Sequence, residues 1–265
     1  MKSIQGASSV SARFAAASKT YDTVSGAQKA VAEKLSAFLP PPAEVDSVLE
    51  IGCGTGHLTE LLARRFPLAS IDAVDISGPM TDSARERIGN SDRVCFHVAD
   101  ARRFRPGGTF SLVASSSALH WITPAEDIMA KIAAMLEEGG SLVSALMVEG
   151  TLGELGAARA SLFPHKSAPV RLPAVEEILS AIAGAGLTLE RYRFERLRRT
   201  CGSARELLRS LNRQGVTGRP ETGSRLLSRT ELLALTDYYD RQFAAPEGGV
   251  TATYCVLYLT ARKKR

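Results

Sequence analysis

Aromatic residues make up only 6% of the chain, with a single tryptophan among them. Proteins that hold single strands or flipped bases stack them on aromatic side chains, so this scarcity argues against a nucleic-acid partner. No apolar run comes near the roughly 20 residues of a membrane-spanning helix, and Met1 to Ser9 lacks the apolar stretch of a secretory signal. The expectation is a soluble, cytoplasmic protein with no membrane partner. Cysteine is equally sparse: Cys53, Cys95, Cys201 and Cys255 lie far apart, with no CxxC pair and no Cys/His spacing suited to zinc. No metal and no disulfide framework is expected, and all four read as buried thiols.

What remains is ordinary globular material. The 265 residues are 45% hydrophobic and 23% charged, enough for one good core and one domain. The net charge of +5 is unevenly spread: residues 1–147 carry 14 Lys and Arg against 16 Asp and Glu, whereas residues 148–265 carry 19 against 12. A basic C-terminal half implies an acidic partner there without saying which.

Apolar runs alternate with helical periodicity. Gly26 to Leu39 puts Ala27, Ala30, Val31, Leu35 and Phe38 on one face, and three prolines stop that helix. Ser47 to Ile51 reads as a strand that breaks at glycines. Leu58, Leu61, Leu62 and Phe66 then mark an amphipathic helix before a second strand, Ser70 to Val74. The alternation continues with a helix from Met80 to Ile88, strands at 93–98 and 110–114, and a helix opened by a Thr123, Pro124 and Glu126 capping box. Gly139 and Gly140 should end it before a fifth strand, 141–148. A helix at 174–185, a sixth strand at 187–198, helices capped by Ser203 with Glu206 and Ser228 with Glu231, and a last strand at 251–261 complete the reading. This pattern predicts an α/β fold, a doubly wound, mostly parallel seven-stranded sheet with right-handed crossovers.

The sharpest feature is Glu50-Ile-Gly-Cys-Gly-Thr-Gly56, glycines between a first strand and a first helix. Glycine permits positive φ and close approach to a ligand, and the carboxyl end of a strand in a doubly wound sheet is where nucleotide-like ligands bind. Asp75 ends the second strand 23 residues after Gly52, where a carboxylate reaches ribose hydroxyls. The spacing is GxGxG rather than the GxGxxG that seats a pyrophosphate, which favours a nucleoside without a diphosphate.

This block, with Asp75 and Val98-Ala-Asp100, resembles class I S-adenosylmethionine-dependent methyltransferases. That resemblance implies a Rossmann-like methyltransferase sheet with a helical lid and S-adenosylmethionine as cofactor. It places the methionine part on Gly52, Gly54 and Gly56, the ribose hydroxyls on Asp75 and the adenine amino group on Asp100, with Glu50, Cys53, Ile76, Ala101 and Ser116 completing the cofactor pocket. A second set looks like the malonyl-acyl-carrier-protein O-methyltransferases of biotin synthesis. It comprises Phe14, Tyr21-Asp22 and Gln28, Ser115 to Trp121, Gly150 to Leu155, Ser210 to Gly218, and Thr253 to Lys263. Ser116 and His120 stand where that family has Asn and Gln. The resemblance implies one domain over 1–265: N-terminal lid helices at 1–40, a cofactor core at 41–148, lid insertions at 149–172 and 200–249, and sheet completion by 173–199 and 250–265.

The implied reaction methylates the free carboxylate of a malonyl thioester on an acyl carrier protein, or on coenzyme A. A carboxylate with a pKa of about 4 is ionised at neutral pH, so no general base is required, and positioning in a dry, lidded cavity with one orienting cation can do most of the work. Tyr21 is expected to seal the pocket with its ring, or else to be a packed helix-edge tyrosine. Trp121 sits where substrates lie in this fold, or in the core, and His120 is either a base for some other acceptor or a polar rim residue. Arg205, Arg209 and Arg213 fall at i, i+4 and i+8 and form a stripe that either is solvated or docks the acidic helix of a carrier protein, Arg213 being also a candidate for the malonyl carboxylate. A monomer is expected. Two other readings stand beside this one: a methyltransferase of a small free acid or a quinone-like ring, and a non-catalytic assembly protein on the same fold.

Overall fold

A computed structural model of the chain describes residues 5–166, 171–216 and 227–264. Two helices lead in, α1 (Gln5–Val24) and α2 (Gly26–Leu35). They are followed by β1 (Ser47–Ile51), α3 (His57–Arg65), β2 (Ser70–Asp75), α4 (Gly78–Ile88), β3 (Val94–Val98), β4 (Phe110–Ser116), α5 (Ala125–Met135) and β5 (Leu136–Met147). The remainder is α6 (Gly153–Leu162), α7 (Val175–Gly184), β6 (Leu187–Cys201), α8 (Ala204–Arg213), α9 (Arg229–Gln242) and β7 (Val250–Lys263).

The seven strands form one sheet in the order β3-β2-β1-β4-β5-β7-β6. β1 to β5 run parallel, while β7 lies antiparallel between β5 and β6. Val48, Leu62, Leu112, Val256 and Tyr258 pack with α2 and α3 on one face; Leu49, Val113, Leu142, Leu257 and Leu259 pack with α5 and α7 on the other. Burial on both faces is why the inner strands read as continuous apolar runs rather than as alternation. β6 differs because it is an edge. Its Arg191 stacks on the Phe38 ring, 4.1 Å to the centroid, and Tyr192 and Phe194 stay exposed.

Three expectations need correction. Thr123 does not cap α5: Pro124 enters in extended backbone as the cap residue, so the helix frame starts one residue later and Glu126 is no longer the third helical residue. The fifth strand begins at Leu136, five residues early, because Gly139 takes φ +78° and Gly140 lies so close to the Phe110 carbonyl that a Cβ would sit 2.9 Å from its oxygen. The two glycines make an irregularity inside the strand instead of ending the helix. Cys95 is exposed, because β3 is the other edge of the sheet, and Cys201 is half-buried at the end of β6; only Cys53 and Cys255 are buried.

The helices outside the sheet gather at one end. α1 packs on α4 and α8, α8 on α9, and α9 on α6. Ser203 Oγ accepts the Glu206 amide at 3.2 Å, and Ser228 and Glu231 form a complete capping box, so both expected caps are present. α8 buries Ala204, Leu207 and Leu211 and turns Arg205, Arg209 and Arg213 outward. Thr217 and Gly218 of the Ser210 to Gly218 motif, and most of the Gly/Pro-rich stretch 215–223, lie outside the described residues. Among the described residues no helix is long and apolar enough to cross a membrane.

Candidate functional site

Strand order reverses between β1 and β4, and the carboxyl ends of β1, β2 and β4 open a crevice there. The glycine loop forms its floor. Gly52 and Cys53 donate their amides to the Val74 carbonyl at 2.7 and 3.1 Å, so the loop leaves β1 still bonded to β2. Gly52 has φ +75°, and a Cβ there would stand 2.2 Å from the Ala118 methyl; the loop after β4 can close on β1 only because this side chain is missing. Gly56 caps α3 at φ +85° against Ala84. Gly54 is different. At φ +52° its Cβ would meet nothing within 4 Å, so its bare face looks into open space.

Asp75 is the partner of this loop. Its Oδ2 accepts the Gly54 amide and its Oδ1 the Ser77 amide, both at 2.9 Å. Each carboxylate oxygen keeps a lone pair for a hydroxyl donor. Burial raises the Asp75 pKa above the usual carboxylate value, against the opposing pull of those amides. Ile76 is held from above, its carbonyl accepting from Ser11 Oγ of α1 at 3.1 Å. Cys53 points away and packs on Ala73 and Ala84. Asp100, after β3, is engaged by Arg102 through its backbone amide and guanidinium at 2.6 to 3.1 Å, which holds its pKa below the usual range. Ala101 beside it packs on the core.

Glu50 lies beneath the loop, 1% exposed, with the Thr59 hydroxyl donating to it at 2.6 Å. Burial pushes its pKa up to about 8, reinforced by Asp75. The folded chain therefore holds a proton there that the unfolded chain releases near pH 4.3. Stability of the ligand-free protein should fall as pH rises from about 4.5 to about 8, by several kcal/mol in total, and flatten above. Glu50→Gln should remove most of that slope in urea titrations at about pH 5.5 and pH 8.5. An unchanged slope would mean that Glu50 is ionised in the fold.

The N-terminal helix roofs the crevice. Phe14 meets Tyr21 edge-on at 6.4 Å and Trp121 at 5.9 Å, and His120 lies 5.2 Å from Trp121. Tyr21 and Trp121 thus belong to one half-buried aromatic cluster with Phe14. Burial, with Asp75 and Asp22 nearby, raises the Tyr21 phenol above its normal value, so it stays protonated. His120 is buried rather than on a rim, because the turn after β4 folds it under Trp121 toward β5. Its Nδ1 accepts the Met147 amide at 3.3 Å, leaving the proton on Nε2, and burial lowers its pKa to about 3. It is a neutral donor and a poor base. Ser117 has φ +57°, and the hydroxyls of Ser77, Ser116 and Ser117 are buried with no hydrogen-bond partner among the described residues.

The sequence reading passed over the contact that holds the roof down. Asp22, at the end of α1, accepts from Thr55 Oγ1 at 2.6 Å, from His57 Nε2 at 3.1 Å and from Arg87. Burial works to raise the Asp22 pKa, but these three partners outweigh it and hold the carboxylate below its usual range. Asp22 adjoins Tyr21 in the quoted motif, which was its one visible signal. Arg102 over Asp100 and the bent backbone of Ser117 carried none. Arg205, Arg209 and Arg213 lie outside the crevice on α8. Among the described residues no three metal-ligating side chains converge.

The arrangement fits a nucleoside bearing a short charged tail: an open glycine face, a carboxylate with free lone pairs, and orphaned hydroxyls in one crevice. Comparison with known proteins agrees. A methyltransferase-domain family matches residues 48–140. The chain is 31% identical over 246 residues to the malonyl-[acyl-carrier protein] O-methyltransferase of Geobacter sulfurreducens, covering 90% of this chain and 92% of that one. It is also 31% identical over 156 residues to malonyl-[acyl-carrier protein] O-methyltransferase 1 of Ilyobacter polytropus; that match spans 59% of this chain and 58% of the relative. In fold it resembles the crystal structure of a methyltransferase-like protein from Bacillus halodurans at 17% identity and a TM-score of 0.61, covering 91% of this chain and 100% of the other.

Proposed function

Because this chain belongs to the malonyl-[acyl-carrier protein] O-methyltransferase family, we propose that it esterifies the free carboxylate of a malonyl thioester carried on an acyl carrier protein, for biotin synthesis. It is an S-adenosylmethionine-dependent methyltransferase. The cofactor supplies, when bound, an electrophilic methyl group on a sulfonium sulfur. In this reading Gly52, Gly54 and Gly56 with Glu50 line the methionine end. Asp75 takes the ribose hydroxyls, and Ile76, Asp100 and Ala101 flank the adenine, Arg102 turning aside from Asp100. Ser116 and the backbone of the turn at Cys53 complete the wall, the Cys53 thiol itself being packed away on Ala73 and Ala84.

The observation that supports the substrate class is that, among the described residues, neither polar group of the Phe14, Tyr21, His120 and Trp121 cluster is a working base. Tyr21 stays protonated and His120 is neutral with a pKa of about 3. A ring carbon or an amine would need a proton removed; a carboxylate arrives without one. Phe14, Tyr21 and Trp121 exclude water, which strengthens the remaining electrostatics, and His120 Nε2 can donate to a carboxylate oxygen. In this reading α1, α6, α8 and α9 act as the lid over the core sheet, whereas α2, assigned to the lid from the sequence, packs on the sheet beside α3. The protein works as a cytoplasmic monomer, with no nucleic acid.

The test is intact-mass analysis of malonyl-carrier protein after incubation with the enzyme and S-adenosylmethionine, with acetyl-carrier protein as control. One added methyl on the malonyl form alone is expected; methylation of both, or of neither, overturns the assignment.

Exposed Arg205 and Arg209 form the outward stripe of α8, suited to the acidic helix of a carrier. Reversing both charges should raise KM for malonyl-carrier protein about tenfold and leave malonyl-coenzyme A unaffected. An equal loss on both substrates would remove the docking role.

A further inference from the structure

The cleft where α1 crosses the end of α8 is a cavity of about 310 Å³, lined by Arg13, Ala16, Ala17, Thr20, Arg213 and Gly215 among others. On α1 these residues fall at i, i+3, i+4 and i+7, so they form one face of the helix. Phe14 and Tyr21, which roof the reaction chamber, occupy the neighbouring face one residue further round. Gly215 makes the close approach possible: at φ +72° a Cβ there would lie 2.8 Å from the Arg13 carbonyl oxygen. Gln214 locks the crossing, donating to the Val24 carbonyl at 2.8 Å and accepting from Gln28 at 2.9 Å.

Two cations face this cleft, and among the described residues no acidic side chain lines it. Arg13 Nε is buried with no hydrogen-bond partner, and neither Arg13 nor Arg213 has an ion-pair partner among the described residues. Partial burial lowers the Arg13 pKa from its usual value, as expected for a half-buried cation with no counter-charge among the described residues. A guanidinium that keeps an unmet Nε–H in a small-residue cleft is arranged to receive a tetrahedral or planar oxyanion by its fork of donors. Small Ala16 and Ala17 leave the room; Arg213 supplies a second positive charge at the inner end of the Arg205, Arg209, Arg213 stripe.

We propose that the α1–α8 cleft is an anion subsite in which Arg13, assisted by Arg213, holds the phosphate of the substrate's phosphopantetheine arm. This rests on the malonyl-thioester reading of the reaction. The carrier docks along the outer arginines, its phosphate is gripped beside Arg13, and the arm crosses α1 to the chamber under Phe14 and Tyr21. The site recognises the arm, so it serves carrier protein and coenzyme A alike and ignores a phosphate-free thioester.

The test compares malonyl-carrier protein, malonyl-coenzyme A and malonyl-pantetheine with Arg13→Gln and Arg213→Gln. For both phosphate-bearing substrates Arg13→Gln should raise KM about tenfold or more with kcat little changed, and Arg213→Gln should do so more weakly. The penalty should be absent for malonyl-pantetheine. Calorimetry with 4′-phosphopantetheine alone gives a readout independent of turnover: binding to the wild type, weakened tenfold or more by Arg13→Gln and less by Arg213→Gln. Equal penalties on all three thioesters, or phosphopantetheine binding indifferent to both arginines, overturns the subsite. If the wild type methylates no malonyl thioester yet binds phosphopantetheine through Arg13, the substrate reading falls and the subsite stands.

Discussion

Gly54→Ala should give a folded protein that no longer binds S-adenosylmethionine, whereas Gly52→Ala should fail at folding. Both glycines have positive φ, so an alanine at either pays the left-handed penalty of about 1–2 kcal/mol. Beyond that they part company. At Gly52 the new methyl would stand 2.2 Å from the Ala118 Cβ, far inside the 3.5–4.0 Å at which carbon atoms pack, so the β4 turn or the loop must move. At Gly54 the methyl would meet no protein atom within 4 Å and would project into the crevice proposed for the cofactor. Its amide to Asp75 survives the change, so the loop keeps its main anchor. The expected result is a melting temperature lowered by a few degrees for Gly54→Ala with affinity down at least about a hundredfold, and a large loss of soluble, cooperatively folding protein for Gly52→Ala. Near-normal cofactor affinity in folded Gly54→Ala would mean that the ligand does not lie over this face.

The parallel core was legible because its signals are local. Apolar runs bounded by glycine, helical spacing at Leu58, Leu61 and Leu62, and capping chemistry at Ser203 and Ser228 each depend on neighbours in the chain. The failures have the opposite character. Gly139 and Gly140 read as a helix stop because glycine usually is one, and only the Phe110 carbonyl across the sheet makes them part of a strand. Thr123 had the right residues for a capping box in the wrong frame, since Pro124 enters extended. Cys95 was misplaced because which strand forms the sheet edge is a topological fact.

The same division runs through the site. Gly52, Gly54, Gly56 and Asp75 meet as expected because a strand, a turn and a strand of ordinary length must bring them together. Asp22 could not be read as the latch of the roof, for its partners Thr55, His57 and Arg87 are 33 to 65 residues away and share no pattern. His120 was open between base and rim until burial and the Met147 amide fixed its tautomer and kept it neutral. Arg213 was a candidate for the malonyl carboxylate from its place in a motif; in the fold it lines the cleft between α1 and α8 with Arg13, Ala16, Ala17 and Thr20.

Asp75→Ala should abolish detectable cofactor binding, but loss alone would not establish contact with the ribose. The carboxylate also satisfies the amides of Gly54 and Ser77, and removing it leaves two donors unmet at about 1–3 kcal/mol each. Asparagine does not separate the roles, since its amide nitrogen must face one of those N–H groups and repel it. The separation comes from changing the ligand. Affinities of wild type and Asp75→Asn are measured for S-adenosylhomocysteine and for its 2′,3′-dideoxy analogue, giving a double-mutant cycle across protein and ligand. If the free lone pairs of Asp75 accept the ribose hydroxyls, the wild type should favour the natural ligand by about a hundredfold, the worth of hydrogen bonds to a charged acceptor. In the variant that preference should shrink to a few-fold, because the donor lost from the ligand no longer had a carboxylate to meet. A preference that persists undiminished assigns the hydroxyls to other groups and reduces Asp75 to a brace for the glycine loop.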